Sequence, residues 1–344
     1  MTQPATTTKM AKQGTVVGKG DLRYIPSVDW CRLPPGQELG EVVGVATDSQ
    51  DRVFLFTRTP DRVLVLNREG QFLHAWGEGQ FKWPHGITIG PDNAVYCTDL
   101  DHTVRKFTPD GKLLLTLGES GRPSDTGANS VDYREIRRPA GPFNFPTNVA
   151  LAADGSIYVS DGYGNARIHK FSAEGRLLAS FGEPGSESGQ FHVAHGIAID
   201  RSGVIYVADR ENSRIQLFTP DGQFIEQWGD VARPCEVVID PADRVFVAEL
   251  GYQAGMFPGN KPPTEDATGG RVSVFSSGGT LLARWGGGRR PCVAGDFFAP
   301  HDICIDSRGD VYVSEVNYTT GIRLGLIGPD SHTLQKFVLI DPAT

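Results

Sequence analysis

Hydrophobic and polar residues alternate along most of the chain in a pattern that repeats about every 40 residues. Each copy begins with alternating apolar residues, passes through an Asp-x-x-Gly-type turn into a second apolar run, and ends with a Val-x-x-Phe run, a Pro-Asp-Gly-type turn and a Trp-Gly or Phe-Gly pair. Residues 86–119 and 196–230 illustrate two such copies. A two-residue period bounded by these turns is typical of β-strands, and no stretch has a convincing helical period.

The repeat predicts an all-β fold, a six-bladed β-propeller. The first strand residues of its six copies are Val45, Ile87, Val149, Ile197, Val237 and Ile303. Four short strands per copy, joined by Gly-rich turns, are the signature of propeller blades. The last copy becomes irregular after Val316, so we expect residues 21–30 to supply an outer strand that completes this blade. Closure of the ring matters because an open ring would leave strand edges exposed.

Length and composition fit one domain of this kind. The 344 residues suit a propeller over residues 21–344, preceded by a disordered polar tail over residues 1–20. The tail does not resemble a secretory signal, and no apolar run is long enough to span a membrane. The net charge of −8 argues against nucleic acid as a partner. Five cysteines without Cys-x-x-Cys spacing favour reduced thiols in a cytoplasmic protein.

Three histidines occupy the same position in alternate copies. The residue that follows the second strand lies 13 positions after the first strand residue in every copy, so equivalent positions align without gaps. Two residues before the first strand residue, copies two, four and six have His85, His195 and His301. A single histidine at a strand start is usually packed or capped, but alternate blades of a six-membered ring lie a third of a turn apart. The three imidazoles should therefore converge on the central axis as a metal site with a fourth position open.

Other polar residues are predicted to surround this axial site. Arg58 and Arg210 share an equivalent position in copies one and four, which face each other across the ring. An arginine there would either pair with a carboxylate of the protein or bind a substrate carboxylate or a developing oxyanion, and we favour the second role. Tyr163 lies one residue past this position in copy three, on a Gly-flanked turn, where it could act as a general base or stabilise an alkoxide. Asp302 follows His301 and is a candidate cation ligand or a partner of one.

An acidic residue ends the second strand in five of the six copies. These residues are Asp99, Asp161, Asp209, Glu249 and Glu315. Recurrence in most copies favours a structural role, in which the carboxylates tie strands together by hydrogen bonds. Three longer inserts interrupt the repeat at 120–144, 251–270 and 286–298, and they could wall or cover a pocket over the axis.

The repeats resemble NHL repeats, and several strings resemble the catalytic core of peptidyl-α-hydroxyglycine α-amidating lyases. The strings are WPHGI, FPTNV, YVSDGYGNARI, QFHVAHGI, VADRENSRIQ and APHDI, and the resemblance covers most of residues 40–320. It implies that His85, His195 and His301 hold a catalytic zinc. It also implies that Tyr163, Arg58 and Arg210 carry out the chemistry.

The resemblance further implies a structural calcium, held by the main-chain carbonyls of Val45 and Ile87 and by the carboxylate of Asp302. Such lyases cleave the C–N bond of a carbinolamide, a carbon that bears both a hydroxyl and an amide nitrogen. This chain departs from the family at Ala299, where the family has a methionine two residues before the third histidine. We expect Ala299 to widen the substrate pocket. Gly164 stands where the family has a cysteine, and this chain lacks the family's disulfide partners.

Three classes of function remain open from the sequence. The leading interpretation is a metal-dependent lyase that acts on a small, anionic α-hydroxyglycine-type amide. A metal-dependent hydrolase or hydratase would use the same scaffold with water as the nucleophile. A non-enzymatic NHL interaction module is the third class, but it gives the histidine triad no purpose and the acidic balance argues against RNA. Three imidazoles suit zinc, iron, copper or nickel, and the sequence predicts no oligomeric state.

Overall fold

A computed structural model describes residues 15–340, except residues 61, 289 and 291. Within this part of the chain, six antiparallel sheets form the blades of a propeller. The innermost strand of each blade contacts the innermost strand of the next, and that of blade six contacts that of blade one, so the ring is closed. The predicted all-β, six-bladed propeller is confirmed.

Blades one to five each contain four strands. From the axis outwards, blade one contains Val42–Thr47, Val53–Thr57, Val63–Leu66 and Phe72–Trp76. In the same order, blade two contains Pro84–Ile89, Val95–Asp99, Thr103–Phe107 and Leu113–Gly118. Blade three contains Asn148–Leu151, Ile157–Asp161, Arg167–Phe171 and Leu177–Phe181. Blade four contains Ala194–Ile199, Ile205–Asp209, Arg214–Phe218 and Phe224–Trp228. Blade five contains Pro234–Ile239, Val245–Glu249, Arg271–Phe275 and Leu281–Gly286.

Blade six combines strands from both ends of the described chain. From the axis outwards it contains Pro300–Ile305, Val311–Glu315, Leu334–Leu339, Leu22–Ser27 and Val17–Lys19. Ile25 pairs with Val338 in antiparallel register, so residues 21–30 do supply the strand that closes the ring. Val17–Lys19 falls within the predicted disordered tail but forms a strand, because Val17 packs against the core shared by blades five and six. Residues 1–14 of that tail lie outside the described residues.

Short elements lie in the connections between blades and between strands of one blade. Two-residue strands at Glu183–Pro184 and Gln190–Phe191 pair in parallel. The short helices are Tyr133–Glu135, Arg210–Asn212, Asn317–Thr320 and Ile322–Leu324. No helix in the described part of the chain is long and apolar enough to cross a membrane. The five cysteines are all free thiols, and Cys97, Cys235 and Cys304 are buried.

The carboxylates that end the second strands hold the loops that lead into the innermost strands. In each of five blades, the carboxylate accepts a hydrogen bond from the amide five residues before the first strand residue. These amides belong to Lys82, Asn144, His192, Ala232 and Phe298, and their partners are Asp99, Asp161, Asp209, Glu249 and Glu315. The predicted structural role is confirmed, and it sets the position at which each axial residue enters the ring. We call the face of the ring where the second strands end the upper face.

Candidate metal centre and active site

The three histidines meet on the axis of the ring. Each is the second residue of its innermost strand, and His85, His195 and His301 are 2%, 1% and 6% exposed. Their ring centroids lie 4.7 to 4.8 Å apart in all three pairs. One ligand nitrogen from each ring lies within 4.8 Å of the others, so the cluster could hold a metal ion. The convergence predicted from the repeat register is confirmed.

Main-chain carbonyls orient all three imidazoles. Nδ1 of His85 lies 2.7 Å from the Thr147 carbonyl, Nδ1 of His195 lies 2.9 Å from that of Cys235, and Nδ1 of His301 lies 2.7 Å from that of Val43. A carbonyl only accepts, so Nδ1 must carry the hydrogen and Nε2 keeps its lone pair. The three carbonyl residues occupy, in blades three, five and one, the same repeat position as the histidines in blades two, four and six.

Electrostatics keep these rings neutral. Burial, followed by the charge of His301, holds the pKa of His85 well below its ordinary value, and burial with Arg210 does the same for the pKa of His195. Burial lowers the pKa of His301 to about 3. Within the described residues, Nε2 of His85 is buried without a hydrogen-bond partner. Three neutral, inward-facing Nε2 atoms, one of them unpartnered, fit a divalent transition metal.

Tyr163 and Arg210 lie against the histidine cluster on the upper face. The Tyr163 hydroxyl oxygen is 3.3 Å from Nε2 of His195, and Nη1 of Arg210 donates a hydrogen bond to that oxygen at 2.9 Å. The Tyr163 ring also meets the His85 ring edge-on, with centroids 5.4 Å apart. Burial lowers the pKa of Arg210, but the oxygens of Tyr163 and Glu211 outweigh burial and raise this pKa above its ordinary value. A permanent positive charge therefore faces the Tyr163 oxygen.

The turn that presents Tyr163 depends on its two flanking glycines. A Cβ atom on Gly162 would collide with the main chain of Ala194, and one on Gly164 would collide with the side chain of Asn144. Asn144 is itself tied to Ser124 and Ala128 of the first insert through its amide nitrogen. The close approach of these segments requires glycine on both sides of the tyrosine.

Arg58 pairs with a residue that the sequence did not single out. Its Nη1 donates to Oε2 of Glu41 at 2.6 Å and to Oγ1 of Thr319 at 2.8 Å. Its charge also contributes to the lowered pKa values of His85 and His301. Arg58 is thus both ion-paired and close to the cluster. Glu41, which is 6% exposed, holds it there.

Ala299 packs in the core next to the third histidine. It is 0% exposed, and its amide donates to Oε2 of Glu315 at 3.2 Å. It therefore presents no surface to solvent, and contact with a substrate stays a prediction.

Asp302 turns away from the upper face into the axial channel below the histidines. Its Oδ2 accepts a hydrogen bond from the amide of Val45 at 3.0 Å, and burial raises its pKa to about 8. The structure thus places Asp302 beside Val45, and a Cβ atom on Gly44 would crowd both Oδ2 of Asp302 and the side chain of Ile87. Whether these groups bind calcium stays a prediction.

A second buried acid, Glu236, lies in the same channel. It occupies the repeat position of Asp302 in blade five, and burial with the charge of Asp302 raises its pKa well above the ordinary value. Its carboxylate accepts a hydrogen bond from Asn148, the equivalent residue of blade three. Below them, the channel opens into a cavity of about 470 Å³. A comparison of the residues that precede the first strand residues of the six copies would have found Glu236 and Asn148 as well as Asp302.

Known proteins share both the sequence pattern and the fold. The NHL-repeat family matches residues 143–171 and 191–218. Human NHL repeat-containing protein 3 is 31% identical, over 86% of this chain and 82% of the human protein. The chain belongs to the NHL-repeat family.

Within this NHL-repeat family, the chain is similar to amidating enzymes. A probable peptidyl-α-hydroxyglycine α-amidating lyase of Caenorhabditis elegans is 30% identical over 54% of this chain and 57% of the worm protein. The peptidylglycine α-amidating monooxygenase of Rattus norvegicus is 30% identical over 92% of this chain. The chain spans only 33% of the length of that rat enzyme.

Solved structures confirm the propeller. A gluconolactonase from Xanthomonas campestris aligns with a TM-score of 0.59 at 14% identity, over 93% of this chain and 91% of the other. Virginiamycin B lyase from Staphylococcus aureus aligns with a TM-score of 0.56 at 14% identity, over 90% of this chain and 98% of the other. At this level of identity the likeness concerns the fold.

Proposed function

We propose that this NHL-repeat propeller is a metal-dependent lyase that cleaves the C–N bond of a small, anionic carbinolamide. The observation that carries the proposal is the convergence of three buried Nε2 atoms directly beside the hydrogen-bonded pair Tyr163 and Arg210. Similarity to amidating lyases supports the reaction class. Zinc is the metal we favour, because three neutral imidazoles with an open fourth position are typical of catalytic zinc sites.

The bound metal would supply a Lewis acid next to the substrate hydroxyl. His85, His195 and His301 would hold it through Nε2, while their Nδ1–H groups keep the rings aligned on the carbonyls of the neighbouring blades. Such alignment by a carbonyl partner fixes both the ring orientation and the tautomer.

Tyr163 would take the proton of the substrate hydroxyl. In its deprotonated form the Tyr163 oxygen accepts that proton, the former O–H electrons form the C=O bond, and the C–N bond breaks. The leaving nitrogen keeps the C–N electrons and receives the proton, so the products are an amide and an α-oxo acid, and no water is consumed. Arg210 stabilises negative charge on the Tyr163 oxygen, and with Arg58 it would bind the substrate carboxylate.

Turnover of N-acyl-α-hydroxyglycines by the metal-loaded protein in ¹⁸O-labelled water tests this proposal. A lyase gives glyoxylate and a primary amide whose oxygen is unlabelled, without free carboxylic acid from the acyl group. The readout is the amide, because the aldehyde oxygen of glyoxylate exchanges with water through its hydrate. A panel of lactones and simple esters serves as the comparison. Turnover of the lactones or esters alone, with solvent oxygen in the product, would establish a hydrolase instead.

Finer expectations belong to the same proposal. A cytoplasmic location is supported by the five free thiols. A structural calcium at Asp302 is supported by the buried acids of the axial channel. A small anionic molecule as the substrate is supported by the two arginines near the cluster.

A further inference from the structure

Arg233 is fully buried in the loop that leads into blade five, although it carries a charge. It is 1% exposed, and its backbone has a φ of 52°, a left-handed conformation that is unusual for arginine. Nη1 donates to the carbonyls of Gly251 and Ala254 at 3.1 and 2.7 Å, and Nη2 donates to that of Gly255 at 2.9 Å. One guanidinium therefore holds the beginning of the 251–270 insert.

The same guanidinium reaches the active site through Glu211. Oε1 of Glu211 accepts hydrogen bonds from Nη2 of Arg233 and from Nε of Arg210, both at 2.8 Å. The Glu211 side chain is 3% exposed, so both ion pairs are shielded from solvent. Since Arg210 in turn donates to Tyr163, one continuous chain of hydrogen bonds runs from the insert to the tyrosine beside the metal ligands.

The insert also contacts Arg210 directly. We call residues 251–260 the strap. The guanidinium carbon of Arg210 lies 5.0 Å from the Tyr163 ring centroid and 5.8 Å from that of Phe257, so Arg210 contacts two aromatic rings, one of them in the strap. Tyr133 of the first insert packs against Phe257 with centroids 5.3 Å apart. Nη1 of Arg134 donates to the carbonyl of Pro258 at 2.6 Å.

We propose that Arg233 is a positioning residue that fixes the orientation of Arg210 through Glu211 and orders the strap at the same time. Nε of Arg210 is held by Glu211, and this contact directs its Nη1 toward the Tyr163 oxygen. Removal of Arg233 would leave Glu211 with one cation in a site without solvent, and it would free the three carbonyls of the strap. Buried ion pairs that lose one partner rearrange, because the remaining charge is poorly compensated. The catalytic consequence rests on the proposed lyase function, whereas the structural coupling does not.

Hydrogen–deuterium exchange of the full chain, measured without substrate, tests the coupling. The variants are Arg233→Met and the nearly isosteric Glu211→Gln. The matched control is Arg284→Met, which alters another arginine of blade five that bonds to a main-chain carbonyl. Arg233→Met should speed exchange on the order of tenfold in both the strap and the 210–214 segment. Glu211→Gln should loosen the 210–214 segment and leave the strap protected, because Arg233 still holds its carbonyls.

A double-mutant cycle tests the catalytic consequence. Arg233→Met should lower kcat by roughly 10- to 100-fold in the native background and by little in an Arg210→Lys background, since it acts through Arg210. Independent, multiplying effects of the two substitutions would overturn the proposal. So would a 210–214 segment whose exchange changes in neither variant. Glu211→Gln decides the matter if Arg233→Met does not fold, and the exchange result stands even if the wild type turns over no carbinolamide.

Discussion

At the scale of single residues, the site depends on which nitrogen of each histidine faces the axis. The Nδ1 atoms are occupied by the carbonyls of Val43, Thr147 and Cys235, three residues with dissimilar side chains. The sequence predicted the histidines because a side chain at a repeating position is visible in it. It could not predict these acceptors, because every residue has a carbonyl and only the geometry shows which ones are used.

Replacement of one ligand should remove the metal and leave the fold intact. We expect His195→Ala to lower metal affinity by at least about 100-fold, because two imidazoles hold a divalent ion far less tightly than three. Metal content by mass spectrometry and the far-UV circular dichroism spectrum check this. His74→Ala, at a partly exposed site on the outer strand of blade one, is the control. Full metal occupancy in His195→Ala would contradict the assignment of the site.

Removal of the Tyr163 hydroxyl should separate chemistry from metal binding. Tyr163→Phe is expected to lower kcat by roughly 10² to 10⁴-fold while metal content stays that of the wild type, because only the proton acceptor is lost. Tyr158→Phe is the matched control, since it also removes a hydrogen-bonded hydroxyl, which donates to the carbonyl of Pro220 away from the site. Unchanged kcat in Tyr163→Phe on the preferred substrate would exclude the tyrosine from the mechanism.

At the scale of elements, the carboxylates that end the second strands link strand geometry to the site. Glu315 accepts hydrogen bonds from the amides of Phe298 and Ala299, just before His301. The sequence predicted these acids because they recur with the period of the repeat. Two contacts could not be predicted from the repeat, because their residues lie in inserts or occur in one copy only. They are the contact of Tyr133 with Phe257 and the ion pair of Glu211 with Arg233. The sequence did not predict the strand Val17–Lys19, because three residues contain too few alternations of apolar and polar positions to recognise.

The buried Glu315 should give the protein a characteristic dependence of stability on pH. Burial raises its pKa to about 7, above the value of the unfolded chain, so the folded state binds the extra proton. The contribution of Glu315 to the free energy of unfolding is therefore greatest below the unfolded pKa. It falls as pH rises from about 4.5 towards 7, by an amount on the order of a few kcal/mol. Chemical denaturation of wild type and Glu315→Gln across this range measures it, and parallel curves for the two proteins would refute it.

At the scale of the whole molecule, the strand Leu22–Ser27 closes the propeller by pairing with the last strand of the sixth copy. Tyr24 of that strand is 1% exposed, and its ring centroid lies 5.3 Å from that of Trp285 in blade five. The closing strand thus packs against the neighbouring blade as well as pairing within its own. Closure was predictable because the sixth copy visibly lacks a regular last strand.

Truncation of Tyr24 should therefore destabilise the entire propeller. We expect Tyr24→Ala to lower the free energy of unfolding by roughly 3–5 kcal/mol, the usual cost of deleting a large buried aromatic side chain. Thermal and denaturant unfolding of the metal-free chain provide the measurement. Tyr318→Ala, at a tyrosine that is 55% exposed, should change stability by less than about 1 kcal/mol. Equal losses for both variants would argue against closure by this strand.

The alternation of histidines and carbonyls around the axis also limits how the number of blades can change in such a protein. Even-numbered blades supply the imidazoles, and odd-numbered blades supply the main-chain carbonyls that accept their hydrogen bonds. Two adjacent blades therefore form one functional unit. Gain or loss of one blade would set two blades of the same kind side by side, so the three imidazoles would no longer stand a third of a turn apart. Gain or loss of a pair would keep the alternation but change the number of ligands from three to four or two. With six blades, the blades form complete pairs and three histidines meet on the axis. We therefore expect relatives that keep the triad to keep six blades.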